Sequence, residues 1–214
     1  MTTEPLILAL VGPQGSGKTH LAAQLIAAWT RRGLHVVAIK HDGHLQPRAP
    51  DDWEKAESDT ATYVQHGAVG TLLTGGGRTL WRDMRDPAAD DLWSLCRRLI
   101  ARTREHRQPL DVILVEGFKF TPVPKVVVLR RPADVDWFRG VSLANLRAIV
   151  APNHLNLSAL GIGGPVYRDG EAEKLAADVV SGRLGNLRLS RVLDTFGNTN
   201  EDEGGLHHAE DVDT

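Results

Sequence analysis

Leu6-Ile7-Leu8-Ala9-Leu10-Val11-Gly12-Pro13-Gln14-Gly15-Ser16-Gly17-Lys18-Thr19 is the stretch on which the reading of the chain turns. Six apolar residues in a row, with no period-two alternation, describe a short strand covered on both faces. Gly12 stops the run, and residues 21–30 then carry Leu21, Leu25, Ile26 and Trp29 at helical spacing. Arg31 and Arg32 suit the negative end of a helix dipole, and Gly33 suits the C-cap. The order is strand, glycine loop, helix.

The loop itself, Gly12-Pro13-Gln14-Gly15-Ser16-Gly17-Lys18-Thr19, matches the pattern of glycine, four residues, then glycine, lysine and serine or threonine. Glycines let the backbone turn tightly, so that successive amide hydrogens point inward at phosphate oxygens, and the following helix adds the positive end of its dipole. Lys18 is expected to reach the β- and γ-phosphates, and Thr19 to place its hydroxyl on Mg²⁺. His20, the next residue, is grouped with the nucleotide-binding set.

Outward from this loop the pattern repeats. Residues 36–40 predict a second strand, 68–73 a third, 112–115 a fourth, 125–129 a fifth and 148–150 a short sixth. Residues 88–106 and 170–181 predict helices, the second with Asp169 placed to cap it. Strands alternating with helices predict a parallel sheet with right-handed crossovers. The expected fold class is therefore α/β, a P-loop NTPase-like, mostly parallel sheet flanked by helices. Residues 42–58 are polar and interrupted by Pro47 and Pro50, which predicts a long mobile surface loop. Beyond Ser181 the pattern weakens; Leu184, Leu187, Leu189 and Leu193 allow a small helix, and 198–214 lacks the apolar residues to order itself. A nucleotide-binding domain over 1–182 and an extension over 183–214 are the expected organisation.

The composition, 42% hydrophobic and 24% charged among 214 residues, excludes disordered, collagenous and membrane classes. The net charge of −2 conceals an uneven distribution: Glu201, Asp202, Glu203, Glu210, Asp211 and Asp213 crowd the end of the chain. Removing those six acids from the 27 leaves 21 against 25 bases, a mildly basic body suited to a phosphorylated ligand. The bases are dispersed and not interleaved with aromatics, which argues against nucleic acid. Cys96, the single cysteine, sits among Leu92, Leu95, Leu99 and Ile100 and reads as a buried structural thiol. No basic leader precedes Leu6 and no apolar run approaches the ~20 residues of a membrane span, so no membrane contact and a cytoplasmic location are expected.

Two further features accompany the loop. In Asp111-Val112-Ile113-Leu114-Val115-Glu116-Gly117-Phe118-Lys119 an apolar strand ends in an acid and a glycine. A carboxylate at the C-terminal end of a parallel strand beside a phosphate loop can hold Mg²⁺ directly or through water, which makes Glu116 the candidate metal and catalytic residue with Lys18. Asp111, at the strand's other end, reads as a boundary residue. Lys40-His41-Asp42-Gly43-His44 follows the second strand at the same edge. Structural zinc wants four ligands, and no cysteine cluster accompanies these histidines, so contact with phosphates or a second anionic substrate is the better role for Lys40, His41 and His44. His207 and His208 in the acidic tail read as solvated.

Together, Ile39-Lys40-His41-Asp42-Gly43-His44, Leu114-Val115-Glu116-Gly117-Phe118-Lys119 and Pro124-Lys125 make the chain resemble the molybdopterin-guanine dinucleotide biosynthesis protein B family over about residues 5–182. Ser58-Asp59-Thr60 leading to Gly67-Ala68 is similar to a family segment as well, which implies that Asp59 approaches the nucleotide-bound metal. The resemblance implies a homodimeric GTP-binding adapter with GTP and Mg²⁺ as cofactors and weak intrinsic GTPase activity. Its implied partners are the molybdenum cofactor guanylyltransferase, which attaches GMP to molybdopterin, and molybdopterin itself. Weak hydrolysis fits the residues, because no arginine finger is evident and no glutamine comes after Glu116-Gly117 to orient water.

Two positions depart from the family pattern. Ser58 stands where a lysine is usual, and Ala151-Pro152-Asn153 stands where a serine and an aspartate would read guanine. Asn153 can donate to the guanine carbonyl. The rival readings are a P-loop small-molecule kinase and a metal-insertion GTPase. The first needs an arginine-bearing lid, and Arg78, Arg82, Arg85, Arg130, Arg131 and Arg139 form no lid pattern; the second needs a richer metal site than Asp42-Gly43-His44.

Overall fold

In the computed structural model, which describes residues 4–41, 58–76, 78–83, 91–157, 160–161 and 163–196, the elements run β1 (Leu6–Val11), α1 (Lys18–Arg31), β2 (Val36–Lys40), α2 (Asp59–Gln65), β3 (Gly70–Gly75), β4 (Arg78–Asp83) and α3 (Leu92–Glu105). They continue through β5 (Val112–Glu116), β6 (Lys125–Val128), α4 (Pro132–Gly140), β7 (Leu146–Val150), β8 (Val166–Tyr167), α5 (Ala172–Ser181) and α6 (Leu189–Phe196). The expectations for Asp42, Gly43, His44, the rest of the 42–57 loop, Arg85, the helix start at 88–90, and the acidic tail with His207 and His208 lie outside the described residues. The chain divides into two compact units, Met1–His41 with Leu99–Thr214, and Asp42–Arg98.

The first unit is built on a six-stranded sheet in the order β2-β5-β1-β6-β7-β8, parallel at every pairing. β1 is buried on both faces. Leu8 and Leu10 pack with Leu25 and Trp29 of α1 and with Leu175 and Val179 of α5, while Ile7, Ala9 and Val11, pointing the other way, are also buried. Burial of this kind contributes roughly 1.5–3 kcal/mol per large aliphatic side chain. Trp29 completes its packing by donating its indole N–H to the Ala176 carbonyl at 3.0 Å, which satisfies the polar end of a fully buried ring. Gly33, with φ of 76°, ends α1 in the left-handed conformation expected of it. Leu184, Leu187, Leu189 and Val192 are buried too, and the Leu187 carbonyl accepts from Ile7 N at 2.8 Å.

The second unit corrects the expectation of a third parallel strand over 68–73. The strand runs over Gly70–Gly75 and pairs antiparallel with β4, Leu72 opposite Trp81 and Leu73 opposite Leu80, in a separate two-stranded sheet. Glycine-rich turns joining short β-prone runs signal a hairpin, and the Gly75-Gly76-Gly77 stretch carries that signal. Ser58 caps α2, its hydroxyl accepting from Ala61 N at 3.1 Å. The helix expected over 88–106 begins at Leu92, where the Asp91 carboxylate accepts from Ser94 N at 2.8 Å. Cys96 is fully buried, and burial pushes its thiol up to about 12.

Two further corrections concern α4 and α5. The sequence pattern alone does not mark α4, whose Pro132 starts the helix with φ already set. α5 begins at Ala172, so Asp169 does not cap it; Glu171 stands at the N-cap, and its carboxylate accepts from Arg168 N at 2.6 Å.

Lys125 heads β6 and is fully buried. Its ammonium donates to the carbonyls of Thr121, Val123 and Ala144, the last two at 3.0 Å, and so ties the 121–123 turn to the segment before β7. Burial pushes this lysine down to about 8 from 10.5. Between those two values the unfolded chain holds a proton that the folded one has released, so stability contributed here rises with pH across that window. Urea denaturation of the wild type and Lys125→Met between pH 7.5 and 10 is expected to show the difference moving in favour of the wild type as pH rises. A flat difference would mean that the ammonium keeps its proton in the fold.

Candidate functional site

The loop of residues 12–19 wraps tightly onto the strand beside it. A Cβ on Gly12 would lie 2.4 Å from the Val128 carbonyl oxygen, so only glycine fits. Lys18 folds back over the loop, its ammonium donating to the Gly12 carbonyl at 2.9 Å and the Pro13 carbonyl at 2.8 Å. Its pKa is lowered, first by burial, with the Glu116 carboxylate and Asp134 opposing that shift and Lys40 adding to it. The Ser16 hydroxyl oxygen is buried without a hydrogen-bond partner.

Thr19 and Glu116, 97 residues apart, meet directly. The Thr19 hydroxyl donates to both carboxylate oxygens of Glu116, at 3.0 and 3.1 Å. Glu116 ends β5, paired in register with Leu10 of β1 on one side and Lys40 of β2 on the other. One hydroxyl and one carboxylate form the donor set that Mg²⁺ uses when phosphates and water complete its octahedron. Among the described residues, no group of three or more His, Cys, Asp or Glu side chains is arranged to hold a metal.

After Glu116 the backbone leaves the strand through two left-handed residues, Gly117 at φ 104° and Phe118 at φ 52°. A non-glycine residue there costs of order 1–3 kcal/mol and persists where its surroundings over-determine it. The surroundings are visible: the Phe118 ring packs on His41 with centroids 4.7 Å apart, and a Cβ on Gly117 would approach His41 Cβ to 3.0 Å. Lys40 is exposed at the same edge, and Lys119 lies over Phe120, its nitrogen 4.9 Å from the ring centroid. Asp111, at the opposite end of β5, accepts from His35 N at 2.8 Å and from the His35 ring at 3.0 Å. Burial works against its charge, and those hydrogen bonds outweigh it and hold its carboxyl below the usual range.

The structure brings together Gly12, Pro13, Gln14, Gly15, Ser16, Gly17, Lys18, Thr19, Lys40 and Glu116 at one edge of the sheet. Asp59 opens α2 in the second unit, exposed and in the first helical turn. His20 lines a cavity of about 260 Å³ that runs from the loop along α1 to Tyr167, Arg168, Asp169 and Glu171. Asn153 is exposed and is not among that cavity's walls, whereas Ala151 and Pro152 are buried.

Sequence reading misses the basic pair after β6. The Arg131 guanidinium donates to the Gln14 carbonyl at 3.3 Å, and the Arg130 guanidinium lies 3.4 Å from where a Cβ on Gly17 would be. Both are set by Asp134, almost fully buried, whose Oδ2 accepts from Arg130 N at 2.7 Å and Arg131 N at 3.0 Å. The available signal is Arg130-Arg131-Pro132 followed by Asp134, a helix start immediately after a buried strand.

A parallel sheet with a glycine loop between β1 and α1, a lysine on the loop and a threonine meeting an acid from the neighbouring strand defines a P-loop NTPase-like protein. The chain belongs to the family described as molybdopterin guanine dinucleotide synthesis protein B, whose model matches residues 7–152. It is 32% identical over 140 residues to the probable molybdopterin-guanine dinucleotide biosynthesis adapter protein of Bacillus subtilis, covering 64% of this chain and 72% of that one. It is 33% identical over 125 residues to the corresponding Escherichia coli adapter protein, covering 58% of this chain and 65% of that one. The crystal structure of Bacillus subtilis MobB superposes with a TM-score of 0.62 at 27% identity, over 81% of this chain and 97% of that one. No described helix is long and apolar enough to cross a membrane.

Removing the Asp134 carboxylate leaves two partly buried amides at the loop's flank without their partner, at a cost of about 1–3 kcal/mol. Asp134→Ala is expected to lower unfolding stability by that amount in urea titration, and Asp134→Asn by less because one acceptor oxygen remains. A loss below about 0.5 kcal/mol for the alanine variant would contradict this role.

Proposed function

We propose that this chain binds GTP with Mg²⁺, hydrolyses it slowly, and serves as an adapter in molybdopterin guanine dinucleotide biosynthesis. The observation that carries the nucleotide reading is the meeting of Thr19 and Glu116 beside Lys18. In this reading Gly12, Pro13, Gln14, Gly15, Ser16, Gly17, Lys18 and Thr19 cradle the phosphates through backbone N–H groups, and Thr19 with Glu116 holds Mg²⁺. The ion, when bound, neutralises charge on the β- and γ-phosphates. Lys18 exchanges two loop carbonyls for phosphate oxygens, and the orphaned Ser16 hydroxyl supports a ligand at the loop, since buried polar atoms without partners are rare. His20 lies on the nucleotide side, and Lys40 faces phosphates or a second anionic ligand. That Asp59 approaches the metal rests on the family resemblance alone. Residues 1–182 carry this chemistry and 183–214 extend it.

Slow hydrolysis is consistent with the residues immediately after Glu116 and Gly117. Phe118 and Lys119 stand where a water-orienting amide would be needed, so the attacking water lacks a dedicated partner. The adapter role rests on the adapter proteins that this chain resembles, and its partner in that role is a molybdenum cofactor guanylyltransferase acting on molybdopterin in the cytoplasm. Homodimerisation is supported by the β3–β4 hairpin: Leu72 and Trp81 on one face, Leu73 and Leu80 on the other, are each more than half exposed among the described residues. A two-stranded hairpin is marginal in water by itself, and a second copy would cover it.

Two experiments test the proposal. Lys18→Ala is expected to weaken binding of a fluorescently labelled GTP analogue at least about a hundredfold with an unchanged thermal melt, and Glu116→Gln to remove the Mg²⁺ dependence of binding; unchanged affinity in Lys18→Ala would overturn the site. Leu73→Asp combined with Trp81→Glu is expected to convert a dimer to a monomer in sedimentation velocity. A dimer that survives both charges would place the interface elsewhere.

A further inference from the structure

The cavity beside the phosphate loop ends at the connection between β8 and α5, and it contains an acid with nothing to do in the described structure. We infer that Asp169 is the residue that selects guanine, its carboxylate accepting hydrogen bonds from the N1 and N2 positions of the base. The inference rests on the reading that residues 12–19 hold a nucleoside triphosphate, and it adds where and how the base is read.

The cavity has the right continuity. It starts at Ser16, Gly17 and His20, where the phosphates would lie, and runs past Gln24 and Val150 to Tyr167–Ala172. Its volume of about 260 Å³ falls below the ~300–1,000 Å³ of pockets that enclose an entire drug-sized ligand. That size suits part of a nucleotide whose phosphates lie outside, on the loop. The Ser16 hydroxyl, about 1% exposed and without a partner, stands on the wall nearest the loop, a second and independent sign that a ligand belongs there.

Two acids line this cavity, and they are not equivalent. Glu171 is committed: it accepts from Arg168 N at 2.6 Å and from the Lys174 ammonium at 3.1 Å. No hydrogen bond or ion pair engages Asp169 among the described residues. Glu171 occupies the N-cap of α5, so Asp169 is released from the capping role its position suggests. The backbone around it is held in place, since Ala151 N donates to the Tyr167 carbonyl at 3.0 Å, the Arg168 guanidinium to the Pro152 carbonyl at 3.0 Å, and the Tyr167 hydroxyl to Asp178 at 2.8 Å. A free carboxylate on a braced loop is a preorganised acceptor.

The same contacts explain why the acid comes from here. Ala151 and Pro152 are buried, with the Ala151 N–H engaged by Tyr167 of β8 and the Pro152 carbonyl by Arg168, and Asn153 is not among the cavity walls. Among the cavity walls, the acceptor free for a base is therefore on the adjacent connection, at Asp169. Guanine presents donors at N1 and N2, which match a carboxylate; adenine presents an acceptor at N1, which repels it; xanthine presents an oxygen at C2, which prefers an amide donor. Asp169 is exposed in the free chain, and a base seated in the cavity would cover it; a base lacking the matching N–H would then leave the covered acceptor unpaired, which is the source of discrimination.

Displacement of a fluorescent triphosphate by GTP, ITP, XTP and ATP, with Mg²⁺ present, tests this on the full chain. The wild type is expected to prefer GTP over ITP and ATP by about tenfold or more. Asp169→Asn is expected to lose about tenfold or more for GTP, to gain a similar factor for XTP, and to leave the affinity for inorganic triphosphate unchanged. The gain for XTP cannot come from a damaged fold. If Asp169→Asn changes all four nucleotides by one factor, or none, the assignment of Asp169 falls while the phosphate loop stands. If the wild type binds no triphosphate and Lys18→Ala makes no difference, the reading of the loop falls and this inference with it.

Discussion

The parallel pairing of β5 between β1 and β2 is the constraint on which the rest depends. It sets Glu116 in register with Leu10, two residues before the glycine loop opens, and with Lys40, the last residue of β2. Parallel strands all end at the same edge, so the three segments that carry chemistry emerge side by side although they lie far apart in sequence. A one-residue slip would turn Glu116 to the other face of the sheet and away from Thr19. The slip is prevented by the apolar residues themselves: Val112, Ile113, Leu114 and Val115 are all buried, on both faces, so every alternative register moves the charged Glu116 or Asp111 into the core.

The core strands and the loop are legible in the sequence because each is dictated locally. Unbroken apolar runs mark β1, β5 and β6, and the loop's first glycine is tied to its position by close backbone approach to Val128. The less legible parts depend on contacts between distant segments. The hairpin of β3 and β4 has apolar residues exposed on both faces, so its period resembles that of a buried parallel strand. α4 is hidden because its capping residue, Asp134, lies inside the helix and bonds backward to Arg130 N and Arg131 N. Asp169 reads as a cap because the sequence before α5 offers two acids, and only tertiary packing of Arg168 on Pro152 decides that Glu171 takes the role.

Within the site, the residues around the loop are arranged for charge that the chain does not itself supply. Lys18 carries its ammonium against two carbonyls in a partly desolvated position, with Arg130 and Arg131 on the flank toward β6 and Lys40 on the flank toward β2. Glu116 is the nearby acid that meets this group through Thr19, since Asp134 is spent on backbone amides. An excess of cation around a loop of inward amides favours a polyanion strongly. It does little to distinguish the ground state of a phosphoryl group from its transition state, because rate depends on interactions that strengthen only as the reaction proceeds.

Under the proposed reading, that distinction separates tight binding from fast turnover. One of the cations flanking the loop is held by interactions that already exist without a ligand: the Arg131 guanidinium, by Gln14 and Asp134. In that reading, Arg131 would meet a phosphate chain from a position already fixed, which favours holding and leaves it little to add as charge develops. The strained turn at Gly117 and Phe118, by contrast, is fixed by the His41 ring at the end of β2, and it is a part of the loop edge whose conformation is costly. A partner that displaced His41 or Phe118 would relieve that cost and could bring a water-orienting group to Glu116. Under the proposed nucleotide reading, the isolated chain is a binder whose turnover is left for another surface to complete.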